Sequence, residues 1–167
     1  TIDKKAPTVS GVSNNANYNK DVTITFTEGT ATLDGKAVGL KTVVVKTEGK
    51  HTFVLTDEAG NKTTVVFTID KTAPVITGIA NNGLYNKDVT IFFNEGTAKL
   101  NGKTVINKTL VKAQGSYTLE IIDAAGNKTI VKFTIDKTAP IVSKIYEVSD
   151  KSTKVTGKTE AYATVKL

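Results

Sequence analysis

The sequence predicts an all-β chain: tandem β-sandwiches of about seven short strands each, followed by the beginning of a further one. Three observations predict it. The hexapeptide Ile69-Asp70-Lys71-Thr72-Ala73-Pro74 recurs as Ile135-Asp136-Lys137-Thr138-Ala139-Pro140, and nearly so as Ile2-Asp3-Lys4-Lys5-Ala6-Pro7. The prolines of these copies stand 67 and 66 residues apart, which marks a joint between repeats. Apolar residues alternate with period two, and turn residues punctuate them at matching places in both complete copies. The expected division is 1–69, 70–135 and a truncated 136–167 of a different subtype.

The elements follow in order. Val22-Thr23-Ile24-Thr25-Phe26-Thr27 sets Val, Ile and Phe against three threonines, and Val89, Ile91 and Phe93 repeat the inward set. Asp34-Gly35 and Asn101-Gly102 are dipeptides of tight two-residue hairpins, whose central residues both need positive φ. Gly49 and Gly115 precede strands carrying Phe53 and Leu55, or Leu119 and Ile121. The loops Asp57-Glu58-Ala59-Gly60-Asn61 and Asp123-Ala124-Ala125-Gly126-Asn127 come next. In each, Gly supplies a left-handed position and the Asp carboxylate accepts backbone N–H groups. Val65, Phe67 and Ile69, matched by Val131, Phe133 and Ile135, close each repeat. Such alternation reads as the inner face of a half-buried antiparallel sheet.

From Ile135 onward the pattern departs. The Asn-Asn-x-x-Tyr-Asn-Lys-Asp stretch (Asn14 to Asp21, Asn81 to Asp88) is missing, and Val155 to Val165 takes a new pattern. The chain opens on Thr1 within a joint motif, which predicts a piece of a longer polypeptide.

Composition narrows the function classes. All 22 basic residues are lysines against 16 acidic ones, for a net charge of +6. Nucleic-acid recognition leans on arginine forks, so scattered lysines read as a solvated face that discourages edge pairing. No cysteine is present to form disulfides or act as a nucleophile. No apolar run approaches the ~20 residues that span a bilayer, so membrane insertion is not expected of this stretch.

The Asp-x-Ala-Gly-Asn loop, the Phe-Thr-Ile-Asp-Lys-Thr-Ala-Pro joint and the period of 66–67 residues resemble the bacterial immunoglobulin-like (Big-type) repeats of Gram-positive secreted and cell-surface proteins. The resemblance covers nearly the whole chain. It implies immunoglobulin-like sandwiches and an extracellular setting, as in adhesins, S-layer proteins and the non-catalytic arms of secreted hydrolases. Its members are spacers or adhesive units, so a stalk of a cell-wall or secreted protein is the expectation. The alternatives are a binding module for a host protein or cell-wall polysaccharide, and a hydrolase arm.

Candidate sites are few. His51 is the only histidine and aligns with Tyr117, which marks a packing slot rather than a base or ligand. With no zinc cluster and no phosphate loop, the chain is read as non-catalytic. Asp70 and Asp136 at the joints, and Asp57 and Asp123 at hairpin tips, are candidate ligands for calcium, a cation that takes several oxygens. Some of the tandem bacterial modules that the chain resembles stiffen their joints in this way. The alternative is that these aspartates cap turns. Lys20 and Lys87 with Asn61 and Asn127 and Glu28 and Glu95 are the residue types of the isopeptide crosslink found in some Gram-positive sandwiches, but in Asn-rich turn sequence they read as plain solvated turns. Tyr18 and Tyr85 suit a plug at one end of the core, hydroxyl in water, better than a sugar-stacking platform. Phe92 replaces an outward Thr25 and is the candidate contact with a neighbouring module or partner. Asn61-Lys62-Thr63, Asn107-Lys108-Thr109 and Asn127-Lys128-Thr129 match the glycosylation pattern but are read as turn chemistry.

Overall fold

The computed structural model describes residues 2–146, 151, 154, 156–159, 161 and 163–166. Every regular element among them is a strand. The first repeat contains β1 (Ala16–Tyr18), β2 (Val22–Thr25), β3 (Thr30–Leu33), β4 (Lys36–Val38), β5 (Thr42–Val45), β6 (Gly49–Thr56) and β7 (Lys62–Ile69). One sheet runs β1-β7-β6-β3-β4, and β2 pairs with β5 in a second. A bridge from Ser10 to Thr25 widens the second sheet. The alternation decides which faces meet. Val22 and Ile24 point inward from β2 while Thr23 and Thr25 point out, and Phe53, Leu55, Val65, Phe67 and Ile69 oppose them from the large sheet. Phe53 is 0 % exposed, and burying a side chain of that size stabilises by about 1.5–3 kcal/mol.

The second repeat contains β8 (Ile76–Thr77), β9 (Gly83–Tyr85), β10 (Val89–Phe93), β11 (Thr97–Leu100), β12 (Lys103–Val105), β13 (Thr109–Val111), β14 (Gly115–Ile122) and β15 (Lys128–Ile135). Its sheets, β12-β11-β14-β15-β9 and β13-β10-β8, repeat the first arrangement. They enclose a separate cluster including Ile79, Ile91, Leu119, Ile121 and Phe133, and the two clusters share no residue. The fold is all-β and of the immunoglobulin-like sandwich kind.

The two expected tight hairpins form. Asp34 and Gly35 have φ of 49° and 77°, and Asn101 and Gly102 have 47° and 81°, the twist that right-handed strand pairs require. One feature differs from expectation. β1 and β9 pair in parallel with β7 and β15, not antiparallel. The Asn pairs before them are the cause. Asn14 Oδ1 accepts the Val66 N–H at 2.9 Å, and the Asn15 N–H donates to Val66 O at 2.6 Å. With Asn15 at φ 61°, the chain swings off the small sheet onto the edge of the large one. Asn81 and Asn82 do the same at Lys132.

After Ile135 the described strands are β16 (Val142–Ile145) and β17 (Gly157–Thr159), paired antiparallel. All four residues of β16 are exposed. Of the new-pattern stretch, Val155, Glu160 and Tyr162 lie outside the described residues.

Candidate functional site

The site is the joint, and it is built from the Asp-x-Ala-Gly-Asn loop. Gly60 and Gly126 take φ of 88° and 91°, which turns the chain back over the aspartate. Asp57 Oδ1 accepts the Asn61 N–H and Oδ2 accepts the Asn61 side-chain amide, both at 2.8 Å. Asp123 Oδ1 accepts the N–H groups of Ala125 and Asn127 at 2.8 and 2.9 Å, and Oδ2 takes the Asn127 amide at 2.8 Å. The Asn61 amide is the chief cause that holds the Asp57 carboxyl below its ordinary range. For Asp123, 8 % exposed, burial pushes the carboxyl up, but the Asn127 amide and the loop N–H groups outweigh it and the net shift is downward.

The aspartate thereby aims its asparagine. Asn127 Nδ2 also donates to Asp70 O at 2.8 Å, and Thr129 Oγ1 donates to Pro74 O at 2.6 Å. Asn61 reaches the carbonyls of Asp3 and Lys5 at 3.2 and 3.3 Å, and Thr63 reaches that of Pro7 at 2.5 Å. Each loop therefore grips the joint peptide that leads into its own repeat.

The preceding repeat holds the same peptide from the other side. The Asp70 N–H donates to Tyr18 O at 2.9 Å. The Lys71 N–H meets Glu48 Oε1 at 2.6 Å, and its ammonium bonds Lys46 O at 2.7 Å and Asp21 at 2.5 Å. That ammonium holds the Asp21 carboxyl below the ordinary carboxylate range. Across residues 70–72, one repeat takes the N–H groups of Asp70 and Lys71 and the lysine while the next takes the carbonyl of Asp70. Asn19 Nδ2 lies 3.6 Å from where a Cβ on Gly126 would sit, so the loop of the second repeat also comes up against the first.

The next joint repeats the first half of this pattern. Asp136 N–H bonds Tyr85 O at 2.8 Å, Lys137 N–H bonds Gln114 Oε1 at 2.5 Å, and the Lys137 ammonium bonds Lys112 O at 2.6 Å and Asp88. Pro74 is buried while Pro140 is exposed.

The candidate residues are thus placed. The Asn127 amide links Asp123 to Asp70, and Asp136 stands at the next joint. Asp70 and Asp136 each accept, through Oδ1, the N–H two residues on, at 3.0 and 2.9 Å. Among the described residues no three His, Asp or Glu side chains converge as a metal-ligand group. Lys20, Lys87, Glu28 and Glu95 are exposed, and the Asn61 and Asn127 amides are engaged at the joint. The Tyr18 and Tyr85 hydroxyls, at the exposed end of the core, accept the N–H groups of Ser13 and Ala80 at 2.9 and 2.7 Å. Phe92 lies outward at 39 % exposure, across from Thr77 and against Gly78. Sequence reasoning missed the grip of Asn61 and Asn127 and the role of Glu48 and Gln114. The signal present was the Asn-x-Thr following each loop glycine.

No family model matches the chain. Over 77 residues, 40% of its length, the chain is 38% identical to the outer cell wall protein of Brevibacillus brevis, and it spans only 8% of that protein. Among solved structures it is similar to the insect immune protein hemolin (TM-score 0.40, 15% identity, 81% of this chain and 48% of that one). It is also similar to a Bacteroides ovatus protein of a mixed-linkage glucan utilization locus, seen with a heptasaccharide (TM-score 0.27, 20% identity, 92% and 50%). A third is a Ca²⁺-stabilized, ice-binding adhesin of an Antarctic bacterium (TM-score 0.23, 17% identity, 90% and 54%). At TM-scores this low, none of the three bears on how this chain is arranged or on what it binds.

Proposed function

We propose that this chain is a non-catalytic stretch of an extracellular stalk, in which residues 1–69 and 70–135 are immunoglobulin-like sandwiches in tandem and 136–167 begin a third. The observation that carries the reading is the joint at Asp70–Thr72, hydrogen-bonded to the repeats on both sides. A linker with its polar backbone groups engaged in this way resists bending, whereas a solvated one does not. The identity to an outer cell wall protein supports a bacterial cell-surface setting.

Removing the grip tests it. In Asn127→Ala, Asp70 O loses its donor while the core is untouched. Asp123 Oδ2 loses its amide donor as well, so the expected result is a second repeat that is weakened but still folded, with a more flexible joint. Small-angle scattering should then show a broader distribution of end-to-end distances than wild type; an unchanged distribution would remove the joint from the proposal.

The four aspartates are read here as turn caps: Asp57 and Asp123 accept N–H groups through both carboxylate oxygens and Asp70 and Asp136 through Oδ1, and calcium would compete with those bonds. A melt with excess calcium and one with chelator should coincide; a rise of several degrees with calcium would restore the ion. An adhesive role is the second reading, and the exposed Phe92 on β10, where the first repeat has Thr25, is what favours it.

A further inference from the structure

His51 sits in the β6 position where the second repeat has Tyr117, and the two residues do one job by different chemistry. Tyr117 stacks on Phe133 with ring centroids 5.0 Å apart, and its hydroxyl donates to Ala113 O at 2.7 Å. Ala113 lies between Lys112 and Gln114, the two residues that hold Lys137 at the following joint. His51 lies on Phe67 at 5.3 Å, and its Nε2 faces Thr47 O at 2.9 Å. Thr47 likewise lies between Lys46 and Glu48, which hold Lys71. In each repeat an aromatic side chain braces the loop before β6 or β14, and that loop holds the next joint.

The difference is in the proton. A tyrosine hydroxyl keeps its hydrogen at any physiological pH. His51 meets an acceptor at both ring nitrogens, Asp34 Oδ2 at 2.8 Å from Nδ1 and the Thr47 carbonyl at Nε2. Only the imidazolium has a hydrogen for each. A neutral ring that keeps its hydrogen on Nδ1 for the carboxylate turns a lone pair toward the Thr47 carbonyl, with only the Thr47 hydroxyl, a long 3.4 Å away, able to donate to it. The charged groups around the ring favour the proton: Asp34 comes from the β3–β4 turn and is itself held at Oδ1 by the Thr52 N–H at 2.8 Å. Lys36 of β4 acts only on Asp34, and β7 offers the uncharged Phe67. In the second repeat Asn101 replaces Asp34, so the acid is missing along with the histidine.

We propose that protonation of His51 sets how firmly the 46–48 loop holds Lys71, so that the first joint is stiffer in mild acid while the second is indifferent to pH. This rests on the joint being the functional site. Burial alone would push His51 down; the Asp34 and Thr47 bonds outweigh it, and the net direction is upward. A raised folded value means that the stabilisation is complete below about pH 6.5 and is lost as pH rises through the folded value.

The full chain provides its own control. As the only histidine, His51 gives one resolvable ring signal, and hydrogen exchange can be read at Lys71 and at Lys137 in the same sample. Between pH 6 and 8.5, above the ordinary carboxylate range, the ring should titrate with a midpoint above the usual histidine value. Once corrected for intrinsic exchange, protection at Lys71 should fall several-fold, with a ceiling of about tenfold per pH unit for one proton, while Lys137 stays level. In His51→Tyr/Asp34→Asn, which installs the second repeat's pair, Lys71 should become as level as Lys137. A midpoint at or below the ordinary value, or a Lys71 response that survives in the double variant, would overturn the switch. Neither result would touch the stalk reading, which the Asn127→Ala scattering decides.

Discussion

Phe53→Ala should unfold the first repeat at far lower temperature or denaturant and leave the second nearly unchanged. Phe53 has no solvent exposure, tilts against Phe26 with ring centroids 5.7 Å apart and stands opposite Val65 on β7. Truncating a buried phenylalanine to alanine costs about 3–5 kcal/mol, from lost transfer energy and the cavity left behind. A repeat of this size has a total stability of the same order, so most of it would be consumed. Because the two clusters share no residue, amide exchange should collapse along β3, β6 and β7 while β11, β14 and β15 keep their protection. Simultaneous loss in both repeats would mean one cooperative core, which the contact pattern does not provide.

Asp123→Ala should weaken the second repeat by about 1–3 kcal/mol, because it leaves two backbone N–H groups and the Asn127 amide without their shared acceptor, the carboxylate of a residue only 8 % exposed. It should also change the response to acid. The folded carboxyl of Asp123 lies below its ordinary value, so its contribution is present above pH ~4 and is lost as pH falls through the depressed value. Wild-type melts of the second repeat should therefore fall below pH 4 more steeply than those of the variant. Parallel acid limbs would show that the carboxylate does no more than fill space. The first repeat, with Asp57 in the equivalent loop, is the internal reference.

Much of this could be read from residues. The alternation at Val22, Ile24 and Phe26 gave the buried faces because a strand's side chains have a period of two. Asp34-Gly35 and Asn101-Gly102 gave the hairpins because few dipeptides tolerate two successive positive φ angles. The parallel edge strands were not legible, since their cause is a pair of asparagine side chains reaching a strand some 50 residues away. Nor was the joint. Asn61 and Asn127 look like any residue closing a turn, and only the folded chain brings Asn127 to the carbonyl of Asp70, 57 residues earlier. His51 read as a packing slot, which its place on Phe67 fits, but the acceptors at both ring nitrogens come from Asp34 and Thr47, neither beside it in sequence.

Residual dipolar couplings from the backbone amides of both repeats, recorded in one weakly aligning medium, ask most directly whether residues 70–72 are held from both sides. A braced joint gives both repeats a common alignment tensor, equal in magnitude and orientation. Two tensors of different magnitude, one per repeat, would mean that they tumble independently, and a joint that merely tethers its neighbours could not make a stalk.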